Sequence, residues 1–266
     1  MPQFLDNTQA SRELRAAYIQ HVISKTLTYR MFQPFLFTLG RRFDKADTFF
    51  QMLSSDIRRK SVRREAFWRQ QTLKAAYTTS NAKQSINVAA AVIVDEIVDH
   101  IRHFTDPSRL DLVVTGVRKI VKLAAETWRL ARVERELITA SMPSAEDEGT
   151  SNADWQEFVY DPSSPTPPVE AAAGASGAKR RPILRMLPRI VREACHEDFL
   201  GENDQEKASP CVYLPGVVLY ADSPSVVARR AELSRRPGDS RGPSRAASTT
   251  PTGQRPSRSP VHEVVA

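Results

Sequence analysis

Glycine is scarce in this chain: ten in 266 residues, and only Gly40 and Gly116 precede residue 149. An average chain carries about 7%. The first half therefore lacks the material for phosphate loops of the G-x-G-x-x-G or G-x-x-x-x-G-K-[ST] kind, which need bare backbone against the phosphates. That excludes most nucleotide enzymes. Long apolar runs are missing too, since Val88 to Val94 is closed at once by Asp95 and Glu96, far short of the roughly 20 apolar residues of a membrane-crossing helix. The opening residues mix Asp6 and Glu13 with Arg12 and Arg15, so no secretory leader is expected, and Pro2 excludes the N-myristoylation pattern. Cysteine is limited to Cys195 and Cys211. Without a leader both are expected as reduced thiols in the cytoplasm or nucleus.

What is present is charge, unevenly placed. Residues 1–140 hold 23 Lys/Arg against 14 Asp/Glu, residues 141–177 hold seven acids and no base, and the remainder brings the total to +7. A basic body is thus joined to an acidic strap. The plain reading of the strap is a solvated linker; the sharper one is a segment that folds back and competes with an anionic partner.

The first 140 residues read as helices. Leu14, Tyr18, Val22 and Ile23 share one helical face starting near Ser11, and Pro34 and Gly40 bracket its end. Asp44 has the character of an N-cap for a second helix carrying Ala46, Phe49, Phe50, Leu53 and Ile57. Ala66, Phe67, Leu73, Ala76 and Tyr77 either continue it or begin another, and Asn81 with Gln84 makes a weak capping box for the next. Ile86, Ala90, Ile93, Ile97, Ile101 and Phe104 form a stripe that Asp106-Pro107 stops. A helix from Pro107 to about Ala140 follows, with Leu110, Val114, Val117, Val121, Ala124, Trp128 and Ala131 alternating at four and three, the seam spacing of a coiled coil or bundle. A lone helix of this kind is marginal, so the two stripes are expected to pair as an antiparallel hairpin.

The fold class expected is mainly α: a helical bundle over 10–142 with a long antiparallel helix hairpin, then an acidic and later Ala/Gly/Pro-rich linker over 143–182 pinned at Trp155 to Tyr160. A small irregular docking module is expected over 183–235. In it, Cys211 to Tyr220 reads as a hairpin or sharp bend at Pro215-Gly216, and Asp222-Ser223-Pro224 starts a short helix to about Arg235. Residues 236–266 are expected to be a disordered tail, because 20 of the last 30 residues are Ser, Thr, Pro, Gly or Arg.

The densest cationic run is Arg58, Arg59, Lys60, Ser61, Val62, Arg63 and Arg64. If helical, it spreads five cations over about two turns, either as a phosphate-facing surface whose affinity falls with salt or as a solvated face. Nothing beside it reads bases: there are no paired RNA-binding aromatics, no zinc-finger spacing and no clear helix-turn-helix. Ser61 behind three basic residues, and Ser259 in the tail, are candidate phosphosites. Lys179, Arg180 and Arg181 ahead of Pro182 suit an import receptor or simple solvation.

For chemistry there is little. Cys195-His196-Glu197-Asp198 gathers a thiol, an imidazole and two carboxylates, with Cys211 sixteen residues on. Neighbouring residues point apart in regular structure, and zinc sites repeat their ligands in pairs. No catalytic residue, cofactor or metal site is therefore assigned. His100 and His103 beside Asp99 lie at a helix end, where a cation meets the helix dipole favourably. Trp128 and Tyr77 are read as core in preference to a pocket between helices.

Three segments carry a resemblance: Gln33-Pro34-Phe35-Leu36-Phe37-Thr38-Leu39-Gly40-Arg41-Arg42, Leu123-Ala124-Ala125-Glu126-Thr127-Trp128-Arg129, and Pro215-Gly216-Val217-Val218-Leu219-Tyr220-Ala221-Asp222-Ser223-Pro224. Through them the chain resembles a group of uncharacterised proteins of filamentous fungi, over roughly residues 10–140 and 180–235. The resemblance implies a eukaryotic, intracellular protein and brings no activity, cofactor or catalytic residue. The function expected is a non-catalytic interaction or scaffold protein that binds a protein partner or itself through helical faces and offers a basic surface to anionic partners. The alternatives are a nuclear nucleic-acid-associated protein holding phosphates through Arg58 to Arg64, and a helical small-molecule or lipid binder.

Overall fold

The computed structural model describes residues 1–35, 41–78, 80–143, 155–160, 180–200 and 208–235. These are mostly helical, with two small sheets. The expected tail, Ser259 and Lys179 lie outside the described residues.

Helix α1 (Gln9–Arg30) starts at Thr8, whose hydroxyl accepts from the Ser11 N–H and so satisfies one of the orphan donors of the first turn. It serves two cores. Its first half sets Leu14 and Ala17 against Phe158, Met186, Val217, Leu219 and Val226. Its second half, with Met31 at its C-cap, sets Val22 and Leu27 against Ile93, Ile97, Val117 and Val121 of α4 (Ser80–Ile101) and α5 (Leu110–Arg132). The stripe on α4 is buried at Ile93, Ile97 and Ile101. Between these two helices Asp106 accepts from the Ser108 N–H with Pro107 at the first position of a 3-10 turn, Pro107–Arg109, and α5 begins after it at Leu110 and not at Pro107.

Helices α2 (Arg41–Lys60) and α3 (Val62–Thr78) pack on each other. Phe35, Phe50 and Trp68 join them to the chain leaving α1, with ring centroids 6.0–6.2 Å apart. Two boundaries differ from expectation. Helix α2 begins at Arg41 rather than being capped at Asp44. Helix α5 ends at Arg132, and Ile138–Ser141, expected as its last turn, is strand β1. The β-branched Ile138 and Thr139 favour the strand, and the carbonyls that would have continued the helix are taken by Arg69.

The segment expected to be irregular carries the two sheets. Strands β3 (Pro182–Leu187) and β4 (Arg189–Arg192) run into each other through Pro188, and β5 (Cys211–Leu214) and β6 (Gly216–Tyr220) through Pro215. β3 pairs antiparallel with β6, and β4 with β5. Two bent strands thus form one long ribbon that changes sheet at a proline on each side, where the missing N–H interrupts the ladder. Pro215-Gly216 is a bend within one strand, not the turn of a local hairpin. β1 is added to β4 antiparallel, and β2 (Trp155–Glu157), from the expected linker, is added to β6 in parallel. β6 is buried along its whole length. Val217 and Leu219 face the α1 core, and Val218 and Tyr220 cluster with Trp155. Helix α6 (Pro224–Arg235) then returns to α1 with Val226 fully buried.

Candidate functional site

The basic run does not form one helix. Ser61 separates α2 from α3, and its hydroxyl accepts from the Arg64 N–H at 3.2 Å, capping α3. Arg58, Arg59 and Lys60 therefore occupy the last turn of α2, where the helix dipole favours cations, whereas Arg63 and Arg64 stand in the first turn of α3, where it does not. The five cations have different duties. Arg58 is ion-paired to Glu193 and, at 3.6 Å, to the buried Glu65. Arg59 is ion-paired to Asp56 on the surface. Lys60, Arg63 and Arg64 are exposed and make no ion pair among the described residues. These three form the exposed cationic group at the α2–α3 corner, with Arg59 at its edge.

Beneath this corner lies a polar system that the sequence reading missed. Glu65 and Arg69 are both about 1% exposed and meet at 3.0 Å. Arg69 also donates to the carbonyls of Arg132 at 2.8 Å, Glu134 at 2.7 Å and Arg135 at 2.8 Å. Arg132, itself buried, donates to the carbonyls of Met31 at 2.7 Å and Gln33 at 2.8 Å and to the Tyr77 hydroxyl at 3.0 Å. The Trp128 indole N–H donates to the same Gln33 carbonyl at 2.9 Å. Trp128 and Tyr77 thus help to fix the chain leaving α1. A buried guanidinium is tolerable only when its donors are satisfied, and backbone carbonyls beyond helix ends supply the acceptors.

Arg229 repeats the device on α6. Its side chain reaches Asp6 at 2.7 Å and Glu232 at 2.9 Å, and Glu232 accepts from the Thr8 hydroxyl at 2.7 Å. Burial opposes ionisation of Asp6, but bonds from Arg229, Ser11 and Thr8 hold its carboxyl far below the usual range. The signal in the sequence was periodicity. Arg69 follows Ala66 and precedes Leu73, Arg132 follows Ala125 and Trp128, and Arg229 follows Val226, so each stands where the helical repeat places a core residue.

Arg180, read as part of an import signal, is half-buried and tied to the fold by ion pairs. It makes paired hydrogen bonds to Glu157 at 2.9 Å, reaches Asp222 at 2.8 Å and stacks 4.2 Å over the Tyr220 ring. The bonds from Arg180 keep the Glu157 and Asp222 carboxyls below their ordinary values. Arg181 is exposed.

Cys195 is buried and His196 exposed, so the thiol and imidazole do not converge. Burial and the neighbouring Glu136 carboxylate push the Cys195 thiol up, away from the thiolate a nucleophile requires. Cys211 lies in β5, and neither cysteine is bridged. At the end of α4, His100 gives its Nδ1–H to the Glu96 carbonyl at 2.7 Å. Among the described residues no three His, Cys, Asp or Glu side chains converge as metal ligands, and no helix is long and apolar enough to cross a membrane.

One further surface stands out. The inner face of α5 is buried at Val117, Val121, Ala125 and Trp128. Nearly half a turn away, Leu112, Leu123 and Leu130 are 72%, 65% and 60% exposed, with Ile120 to one side of them. No family model, curated protein or solved structure matches the chain, so the likeness to filamentous-fungal proteins gains no support from them.

Proposed function

We propose that this chain is a non-catalytic interaction protein, a helical bundle whose α4 and α5 form an antiparallel hairpin and whose surface engages an anionic partner through Lys60, Arg63 and Arg64. One observation carries this reading. The deeply buried guanidiniums of Arg69, Arg132 and Arg229 all bind helix ends, turns or neighbouring carboxylates within the fold, whereas the three cations at the α2–α3 corner are exposed and make no ion pair among the described residues. Buried charge is used to build the body, and exposed charge is left for contact. Two unbridged thiols suit the reducing interior of the cytoplasm or nucleus.

The contact is electrostatic and indifferent to sequence, because clustered cations bind by releasing counterions and nothing beside them reads base edges. Titration of the full chain against heparin and against random-sequence duplex DNA, over a salt series, tests it. Binding weakens linearly on a log–log plot, and R63E/R64E lowers affinity for both probes alike while leaving the thermal transition in place. Absence of salt-dependent binding to either probe overturns the proposal. Binding to duplex alone that survives in R63E/R64E moves the function to another surface.

A further inference from the structure

The outer edge of α5 repeats at Gly116, Ile120, Leu123, Thr127 and Leu130, separated by four, three, four and three. This is a second heptad seam beside the one that faces the core. From Leu112 to Leu130 the ridge runs about 27 Å at 1.5 Å per residue. Gly116 supplies an independent observation. A Cβ built there meets nothing within 4 Å, so the interior gives no reason for a glycine that weakens the helix. Bare backbone in mid-helix on an exposed seam is what a second helix needs in order to approach closely.

The charge along the ridge selects the occupant. Lys119 and Glu126 lie on the same open flank, one turn to either side of Leu123, and both are exposed. An anionic bilayer would have to take Glu126 against its own charge, and a uniformly acidic helix would meet the same repulsion. A partner with the same two charges in reverse order satisfies both, and that partner is this chain turned end for end.

We infer that α5 is the interface of a twofold dimer, in which the outer seam packs antiparallel on that of a second copy. This deepens the reading of the protein as one that works by association. An axis crossing between Val121 and Lys122 sets Ile120 against the partner's Leu123 and Gly116 against the partner's Thr127. Lys119 then flanks the partner's Glu126, and Glu126 the partner's Lys119, so the self-complementarity required of a twofold interface is met twice.

Sedimentation velocity of the full chain across a concentration series tests this. Wild type passes from monomer to dimer. L123E, at a position already open to solvent, remains monomeric with an unchanged thermal transition. K119E and E126K each place like charges together and weaken the dimer by about tenfold, and the double exchange K119E/E126K restores it. G116A raises the thermal stability of the monomer, because alanine is the better helix former, and weakens the dimer; a glycine with no outside contact would give the first effect alone. A chain that is monomeric throughout, a dimer indifferent to L123E, or a double exchange that fails to recover overturns the inference. So does binding of phosphatidylserine vesicles that L123E abolishes in a chain that stays monomeric. Heparin binding is read through Arg63 and Arg64, both on α3, so either proposal can fail without the other.

Discussion

Nη1 of Arg69 donates to the main-chain carbonyl of Arg132 at 2.8 Å, and the Arg132 side chain in turn holds the carbonyls of Met31 and Gln33. Two buried arginines therefore act in series. The first fixes where α5 stops, and the second uses that fixed point to hold the end of α1.

Arg69→Met strands the buried Glu65 carboxylate beside Arg58 and frees three carbonyls, so it should destabilise the chain by about 3–5 kcal/mol. Urea denaturation measures this. Because both arginines serve one system, R69M/R132M should cost less than the sum of the single changes, with a coupling on the order of 0.5–3 kcal/mol. Strict additivity would mean that the two act independently.

Gly216→Ala meets the Trp155 ring, whose nearest carbons lie well inside van der Waals contact of where the Cβ would stand. Overpacking of this kind costs about 1–3 kcal/mol. The loss should shrink when alanine is introduced into a Trp155→Ala background, as read by denaturant titration. An equal loss in both backgrounds would remove the ring as the cause.

Stability should fall as the pH drops below about 6.5, the ordinary value of a histidine. Burial holds the His21 imidazole below that value, with the Arg185 carbonyl opposing and Lys25 assisting. The unfolded chain therefore takes up a proton before the folded one does, which favours unfolding. His21→Asn keeps an N–H donor for the Arg185 carbonyl and should flatten this part of the profile. A second loss should follow at pH values where Glu157 and Asp222 protonate, since Arg180 holds both carboxyls low and stability from such groups is lost as pH falls. Thermal melts from pH 8 to pH 3 in the two proteins separate these windows.

Arg180→Gln leaves Glu157 and Asp222 without their cation. Charged hydrogen bonds contribute about 1.5–3 kcal/mol; with partial solvent screening the loss should be about 1–2 kcal/mol at neutral pH. It should shrink in acid, where the carboxylates are neutral. A loss independent of pH would point to the stacking on Tyr220 instead.

The helices were legible because their apolar residues recur at three and four, and because Asp106-Pro107 is a strong start signal. Their ends were less so. Nothing local reveals that Arg69, 63 residues earlier than Arg132, claims the carbonyls at the end of α5. The sheets were hidden for a related reason: Trp155 to Glu157 is too short to read as a strand, and its pairing with β6 is set across some 60 residues. Proline at 188 and 215 suggested interruption, and in the structure each marks a corner in a continuing strand. The basic run was legible as composition, but its division by the Ser61 cap, and the diversion of Arg58 to Glu193, depend on tertiary neighbours. The buried arginines were present in the periodicity, at positions where the repeat asks for an apolar side chain.

The double allegiance of α1 sets a timetable for synthesis. Leu14 and Ala17 find their cover in Met186, Val217, Leu219 and Val226, which a ribosome adding about 5–20 residues per second delivers roughly 10–40 s later. Through that interval the first half of α1 offers a sticky half-helix to whatever binds emerging polypeptides, while its second half has already found α4 and α5.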